Sequence, residues 1–531
     1  MHRSTSTRGR AVLALTAVVA VLLAACSSST ASRSDLADAP TVSDASPSAA
    51  PDADEPGDDA SADPDGAVAP GDTDGAADTP AGAGTVTDGG ASGSSGADGS
   101  SDGGATDGGG PTSSTSTTSG GGATSTGQPP AQDLPPIDLG FAFGGGNSGA
   151  AFGVDVSTDE ERARRWLQAF EDEYNERGGI AGRPVNSHPV FVNQDDQAES
   201  TQTRLQTQAC VHFTEDIGVL MVLGDMTRYA HDCYVEHETA VFTPIQTVDS
   251  EQLRPLQPWI LPSYFMVFDR LARLMPVSLG EQGFLTPGEK VGILAFDTPS
   301  YHRSIDTHMI PEIQRTGAEV FETVYMKIAY DDIAAQLAGA VLRWKANDVQ
   351  RVIVFANGGG VWLLFAQNAE SQSYRPWYGV STMDRPFFTA DLIHPAQLEN
   401  VHGTGFWLTL DIDESEHPPL EPVEQECFRV VNERAGEDMN QRDLDGIGVL
   451  ALCDLFRQVA HAFAPATGQP ITRADVPRLY QRMGAGYDSV VMGPVDFSAG
   501  RWDAATRHRD LTYDTGCSCV KYTSPWRAIP F

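Results

Sequence analysis

The chain has 531 residues, a formal net charge of −37 at pH 7 and 40% hydrophobic residues. That length exceeds one hydrophobic core and points to more than one compact unit. The acidic balance argues against a nucleic-acid partner, because phosphate backbones select basic proteins.

The chain opens on "MHRSTSTRGR", with Arg3, Arg8 and Arg10, followed by the apolar run "AVLALTAVVAVLLAA". The run is shorter than the roughly 20 residues that span a bilayer. A basic start, an apolar run and small residues form the secretory pattern. The segment "LAAC" (Leu23–Cys26) resembles the lipobox of bacterial lipoproteins, whose cysteine becomes the lipidated first residue. This reading makes 1–25 a signal peptide and Cys26 a lipid anchor on the extracytoplasmic face of the membrane; a cleaved signal with an incidental cysteine is the alternative. Residues 26–135 are a different material: from Ser27 on they hold no aromatic residue, 18 acids and one base, Arg33. Such a composition buries too little apolar surface to offset its ordering entropy and reads as a disordered tether. A flexible chain of that length spans roughly 55–60 Å. The remainder, 136–531, carries 54 acids against 31 bases, a net of −23.

In this remainder, strand-like runs alternate with amphipathic segments. "IDLGFAF" is a strand and "TDEERARRWLQAFEDEYNERGG" a helix, with Ser157 or Thr158 as its cap. "HPVFVN", "IGVLMVLG" and "AVFTPI" continue the strands, with helices between them. A second cycle starts near Glu289, with strands "EKVGILAFD", "AEVFETVYM", "VQRVIVFA" and "PWYGVS". Late helices follow at "PPLEPVEQECFRVVNERAG" and "LDGIGVLALCDLFRQVAHAFA". The order predicts an α/β protein with two Rossmann-like parallel-sheet lobes and a ligand cleft at the strands' carboxyl ends.

The loop "FAFGGGNSGAAFG" contains G-x-G-x-x-G (Gly144–Gly149) and "GNSG". A dinucleotide loop opens directly into its helix; here "AAFGVDVST" intervenes, and Asp195 and Asp196 lie too far on to be the ribose acid. Ser148 lacks the G-x-S-x-G frame of a nucleophile elbow. The loop is read as cleft lining, with no cofactor. Cys210, Cys233, Cys427, Cys453, Cys517 and Cys519 form an even set in an exported chain, which suggests disulfides. Pairs close in sequence are the natural choice among 15 connectivities. "CSC" beside His508 matches no common zinc spacing, so no metal site is expected.

"YNERGGIAGRPV" (Tyr174–Val185) resembles a segment of type I periplasmic binding proteins, the family that includes leucine/isoleucine/valine-binding receptors of ABC importers. "GVLMVLGDMTRYAHD", "FTPIQTVDSEQL", "ILAFDTPSYHRSIDT" and "GPVDFSAGRWD" match in order, from Asp138 to about Asp503. The resemblance implies a monomer of two lobes joined by three crossovers, with lobe 1 at about 136–262 and 410–505 and lobe 2 at about 263–409 and 506–531. It implies a small polar solute, amino-acid-like or a related amide or organic acid, passed to an ABC permease. A ligand sensor of the same fold without a permease is the alternative, and an exported hydrolase has no motif here. Carried over residue by residue, the first-lobe ligand positions fall at Thr227, Gln246 and Thr247. Tyr301 is either a lid on the solute or a packing residue, although His302 stands where the family has Gly. Asp384 is either a partner for an ammonium, or a turn cap or a salt bridge to Arg385. The family's Ser-rich turn is replaced by "DMTRYAH", where Arg228 meets a carboxylate or stays solvated. The Cys210–Cys233 spacing resembles the family's first-lobe bridge; Cys427–Cys453 and Cys517–Cys519 complete the expected set.

The anchor reading is testable. Cys26→Ala is expected to block lipoprotein maturation or release the protein into the medium, because the tether is too polar to hold a membrane. Normal maturation with unchanged membrane fractionation would contradict it.

Overall fold

The computed structural model describes residues 134–146, 159–196, 198–327 and 330–530. The leader, Cys26, nearly all of the tether and the loop from Asn147 to Thr158 lie outside the described residues.

The first lobe is built on four parallel strands in the order β2-β1-β3-β4: β1 Ile137–Gly145, β2 Val185–Asn193, β3 Met221–Gly224 and β4 Ala240–Phe242. Helix α1 (Glu160–Glu176) starts at Asp159, whose carboxylate accepts from the Arg162 N–H at 2.9 Å. The cap is therefore Asp159, not Ser157 or Thr158. The first two glycines of the G-x-G-x-x-G run extend β1, pairing with Val192 and Asn193. Gly146 turns the chain at φ 70°, and α1 begins far beyond it. Helices α2 (Glu199–Val211) and α3 (His231–Glu236) are joined by Cys210–Cys233.

The second lobe carries a sheet in the order β13-β12-β9-β8-β7-β5-β6. Strands β5 (Lys290–Phe296), β6 (Glu319–Met326), β7 (Arg351–Val354), β8 (Trp377–Ser381) and β9 (Val401–Gly405) are parallel. Helix α4 (Phe268–Glu281) packs on β8 and β9; α5 (Pro299–Ser304), α6 (Tyr330–Ala346) and α7 (Gly360–Ser371) follow their strands. The sheet is not wholly parallel: β12 (Arg507–Asp514) adds antiparallel to β9, and β13 (Cys519–Tyr522) and β14 (Arg527–Ala528) pair with β12.

Between these strands the chain returns to the first lobe. Helices α8 (Pro422–Ala435) and α9 (Leu444–Phe463) pack against α1 and are tied by Cys427–Cys453. Phe456 of α9 lies 5.4 Å from both Phe141 on β1 and Tyr174 on α1. Helix α9 and the turn after it are long and apolar enough to cross a membrane, yet 78% of that window is buried inside the protein, as a core helix is. A hairpin, β10 (Tyr487–Ser489) and β11 (Gly493–Val495), closes this side. Cys517–Cys519 sits in the β12–β13 turn.

Three crossings join the lobes, and buried polar groups hold them. Ser263 in the first pairs in parallel with Asp503 in the third. The Asp503 carboxylate, fully buried, accepts from the Val267 and Ala505 N–H groups at 3.1 Å and pairs with Arg270 of α4. In the middle crossing, Trp407 meets Phe265 and Tyr264 edge-on at 5.3 and 6.0 Å. The Tyr264 hydroxyl donates to Asp454 of α9, which also accepts from the Tyr487 and Ser489 hydroxyls at 2.6 and 2.8 Å. Asp411 accepts from the Trp407 N–H at 2.9 Å and the Tyr522 hydroxyl at 2.6 Å.

Removing one partner of a buried pair strands the other charge, at a cost of about 3–5 kcal/mol. Arg270→Met is therefore expected to destabilise the fold by about that much in denaturant titration, with Asp503→Asn in the same chain restoring part of it. Burial lifts the Asp411 carboxyl to about 7, against about 3.9 in an unfolded chain. The folded state then holds the extra proton, so this group's contribution to stability is intact below about pH 4 and is lost as pH rises through about 7. Asp411→Asn should flatten the stability-versus-pH slope in that window by up to about one proton; an unchanged slope would contradict this.

Candidate functional site

A cavity of about 920 Å³ lies between the lobes. Its walls are the segments that leave the carboxyl ends of strands: Gln194 after β2, Asp225 after β3, Ile245 after β4, the end of β5 at Phe296, and Asn357 after β7. This is where open α/β sheets present ligand sites. The volume is at the upper end for a small-molecule pocket.

Of the five positions carried over from the resemblance, the structure brings Thr247 and Tyr301 to the cavity wall. Thr227 is fully buried, and its hydroxyl shares a 2.8 Å hydrogen bond with Thr243, joining the ends of β3 and β4. Gln246 is buried beside Thr247 and is not part of the wall. Asp384 lies behind it: its carboxylate accepts from the Ser381 N–H at 2.8 Å as half of a capping box at the end of β8. Burial pushes that carboxyl well above the usual range. One oxygen of Asp384 is thus taken by its own turn, and the other is buried with no partner among the described residues.

Tyr301 stands at the centre of a ring cluster. Phe268 lies 4.3 Å from it, Phe355 5.7 Å and Phe296 5.8 Å. It is 4% exposed, so it packs the second lobe while offering one edge to the cavity. The packing role is the one these contacts show.

The residue that the geometry adds is Arg228. It lines the cavity and is exposed. Its guanidinium donates to the Thr247 hydroxyl oxygen at 2.8 Å and to the Tyr229 hydroxyl at 2.6 Å, and lies 4.3 Å over the Tyr229 ring. Thr247 accepts from Arg228, which leaves its own O–H to donate. Gln206 holds the turn, accepting from the Tyr229 N–H at 2.9 Å, and is itself within a buried glutamine network with Gln202 and Gln194. The Cys210–Cys233 bridge ties the helix bearing Gln206 to the helix bearing His231. Burial, with Arg228 nearby, lowers the His231 imidazole to about 4, so it is neutral at physiological pH. The sequence signal for Arg228 was its replacement of a Ser-rich turn; its orientation depends on Thr247, 19 residues away.

Polar contacts link the lobes beside the cavity. Arg303 of α5 pairs bidentately with Asp249, at 2.7 and 2.8 Å. Ser250 donates to Asp269 of α4 through its N–H and hydroxyl, both at 2.9 Å. At the second-lobe wall, Gly359 has φ 79°, and a Cβ there would sit 2.0 Å from the Thr389 hydroxyl oxygen. Only glycine fits that turn. Among the described residues one cluster has metal-ligand spacing, Glu416 with Cys517 and Cys519, and both its sulfurs are in the disulfide.

Tyr301→Ala is expected to destabilise the unliganded fold by about 3–5 kcal/mol, the usual range for a buried ring. Tyr301→Phe, which keeps the packing, should cost under about 1.5 kcal/mol. Equal losses in thermal unfolding would contradict the ring-cluster account.

No protein-family model and no curated protein matches this sequence. Solved structures do match in fold. An extracellular ligand-binding receptor from Rhodopseudomonas palustris HaA2 superposes with a TM-score of 0.55 at 14% identity, over 73% of this chain and all of that one. A fatty acid ABC transporter substrate-binding protein from Thermomonospora curvata gives 0.52 at 16% identity, over 75% and 94%. The branched-chain amino acid transporter substrate-binding protein LivJ from Streptococcus pneumoniae, in complex with isoleucine, gives 0.52 at 14% identity, over 73% and 100%. The described residues thus have the two-lobed fold of type I periplasmic binding proteins, the fold of ABC transporter substrate-binding proteins.

Proposed function

We propose that the chain is an extracytoplasmic solute receptor, held to the membrane by lipid on Cys26, that closes on a small solute and presents it to an ABC permease without chemically changing it. The observation that carries this reading is the cavity of about 920 Å³ walled by both lobes, with the chain crossing between them three times. Such a hinge excludes water from the cleft when a ligand bridges the walls. Thr247 and Tyr301 are the contacts retained from the resemblance, one on each lobe. Thr227, Gln246 and Asp384 act from behind the wall by shaping it.

The solved structures of this fold supply the solute classes to try. The LivJ protein was crystallised with isoleucine and the Thermomonospora protein is described as a fatty acid receptor. A sensor without a permease has the same binding behaviour and differs only in its partner.

A ligand that binds only the folded state stabilises it by about 2.7 kcal/mol at a hundredfold excess over its dissociation constant. A thermal-shift panel of amino acids, amides, organic acids and monocarboxylates is expected to contain a stabilising solute, recovered unaltered by mass spectrometry. Conversion of the bound solute, or saturable NAD or ATP binding at the glycine-rich loop, would overturn the receptor reading.

A further inference from the structure

We infer that the cavity selects a solute with one carboxylate and an apolar body, and that it does not require the α-ammonium of an amino acid. This deepens the receptor reading and rests on it.

The charges of the cavity wall decide the matter. The first lobe offers one cation, Arg228, which has no carboxylate partner among the described residues. Its guanidinium is already oriented by Thr247 and Tyr229, so little side-chain entropy remains to be lost when a carboxylate docks. The Thr247 O–H and the neutral His231, whose Nε2 has no partner among the described residues, stand beside it as further polar contacts. A carboxylate held this way is a charge-assisted contact, stronger than one between neutral groups.

Among the described residues the second-lobe wall offers nothing comparable for an ammonium. Among the described residues its one carboxylate on the wall, Asp297, accepts from His302 at 2.8 Å, and its one cation, Arg303, is taken by Asp249. Asp384, where the resemblance places an ammonium partner, is not on the wall: one of its carboxylate oxygens serves the capping box, and the other is buried without a partner among the described residues. What remains is largely apolar. Phe296, Val361 and Leu364 face the cavity from this lobe, and Ile245, Val248 and Leu256 from the first. Burying an apolar body between two such walls is favourable in proportion to the area removed from water.

The remaining acids limit the charge of the solute. Glu199, Asp232 and Glu251 line the first lobe in exposed positions, and Asp225 is buried and engaged in contacts of its own. One cation among these carboxylates suits a single negative charge. A second carboxylate or a phosphate would meet repulsion with no partner.

The test uses the full-length protein and ligands differing by one group. Isothermal titration compares leucine with 4-methylpentanoate, which lacks only the amine, and with 3-methylbutylamine, which lacks only the carboxylate. Octanoate and octanedioate probe the apolar body and the second charge. The expected order has 4-methylpentanoate binding at least as tightly as leucine, the amine silent, and octanoate tighter, by up to about fourfold per added methylene. Octanedioate should bind more weakly than octanoate. Arg228→Gln should weaken octanoate by on the order of ten- to a hundredfold, with the unliganded melting temperature unchanged because the side chain is exposed. Leucine binding while 4-methylpentanoate stays silent would overturn this inference and leave the receptor reading standing. So would tighter binding of the amine, or full octanoate affinity in Arg228→Gln. Silence of every carboxylate at millimolar concentration would also overturn it, and the broader solute panel then decides the receptor reading separately.

Discussion

The buried carboxylate of Asp503 joins two of the three passages between the lobes. It accepts from the backbone of the first passage at Val267 and of the third at Ala505, and it pairs with Arg270 at the start of the helix that enters the second lobe. The two lobes therefore share a hinge whose strands cannot slide independently. Asp454 extends the same logic into the first lobe, holding Tyr264 of the hinge to the core helix α9 and the β10–β11 hairpin. Buried charges of this kind add little net stability, but they penalise any arrangement that leaves them unpaired. Their effect here is to fix where the cavity forms.

Around that hinge, the cavity is a product of strand ends. Parallel sheets place the loops after β3, β4, β5 and β7 at matching edges, so that Arg228, Thr247, Tyr301 and Asn357 converge although they are scattered along the chain. The contacts between Asp249 and Arg303, and between Ser250 and Asp269, keep the two edges facing one another. Recognition and hinge geometry are thus linked: the segment from Thr247 to Gln252 supplies both a cavity residue and the links to the second lobe.

Much of this architecture was legible in the order of apolar runs. The strands from "IDLGFAF" to "PWYGVS" and the helices between them have strong periodicity, and parallel pairing follows from the alternation. The strands after residue 506 were not legible. "RHRDLTYD" carries Arg507, Arg509, Asp510 and Asp514, with Asp510 and His508 buried, so its polar letters do not alternate as a half-exposed strand's do; its strand form depends on pairing with β9. At the site, the resemblance pointed to segments at strand ends, of which Thr247 and Tyr301 line the cavity, but it carries no information on the direction of each side chain. Asp384 caps its own turn, which a sequence match cannot distinguish from facing a solute. The sequence cannot separate the two roles of Arg228, because its position depends on Thr247 and on a glutamine network from α2. The GxGxxG run misled only by its letters: its first glycines are strand residues, and the helix it should open starts elsewhere.

As a solute receptor, the protein would close its two lobes about this hinge on a bound solute. The most direct measurement is the distance distribution between spin labels at Asp172 on α1 and Leu342 on α6, both exposed and one on each lobe, with the native disulfides left intact. A stabilising solute is expected to shift this distribution and narrow it, to an extent that follows the binding curve. Saturable binding with the distribution unchanged would contradict it.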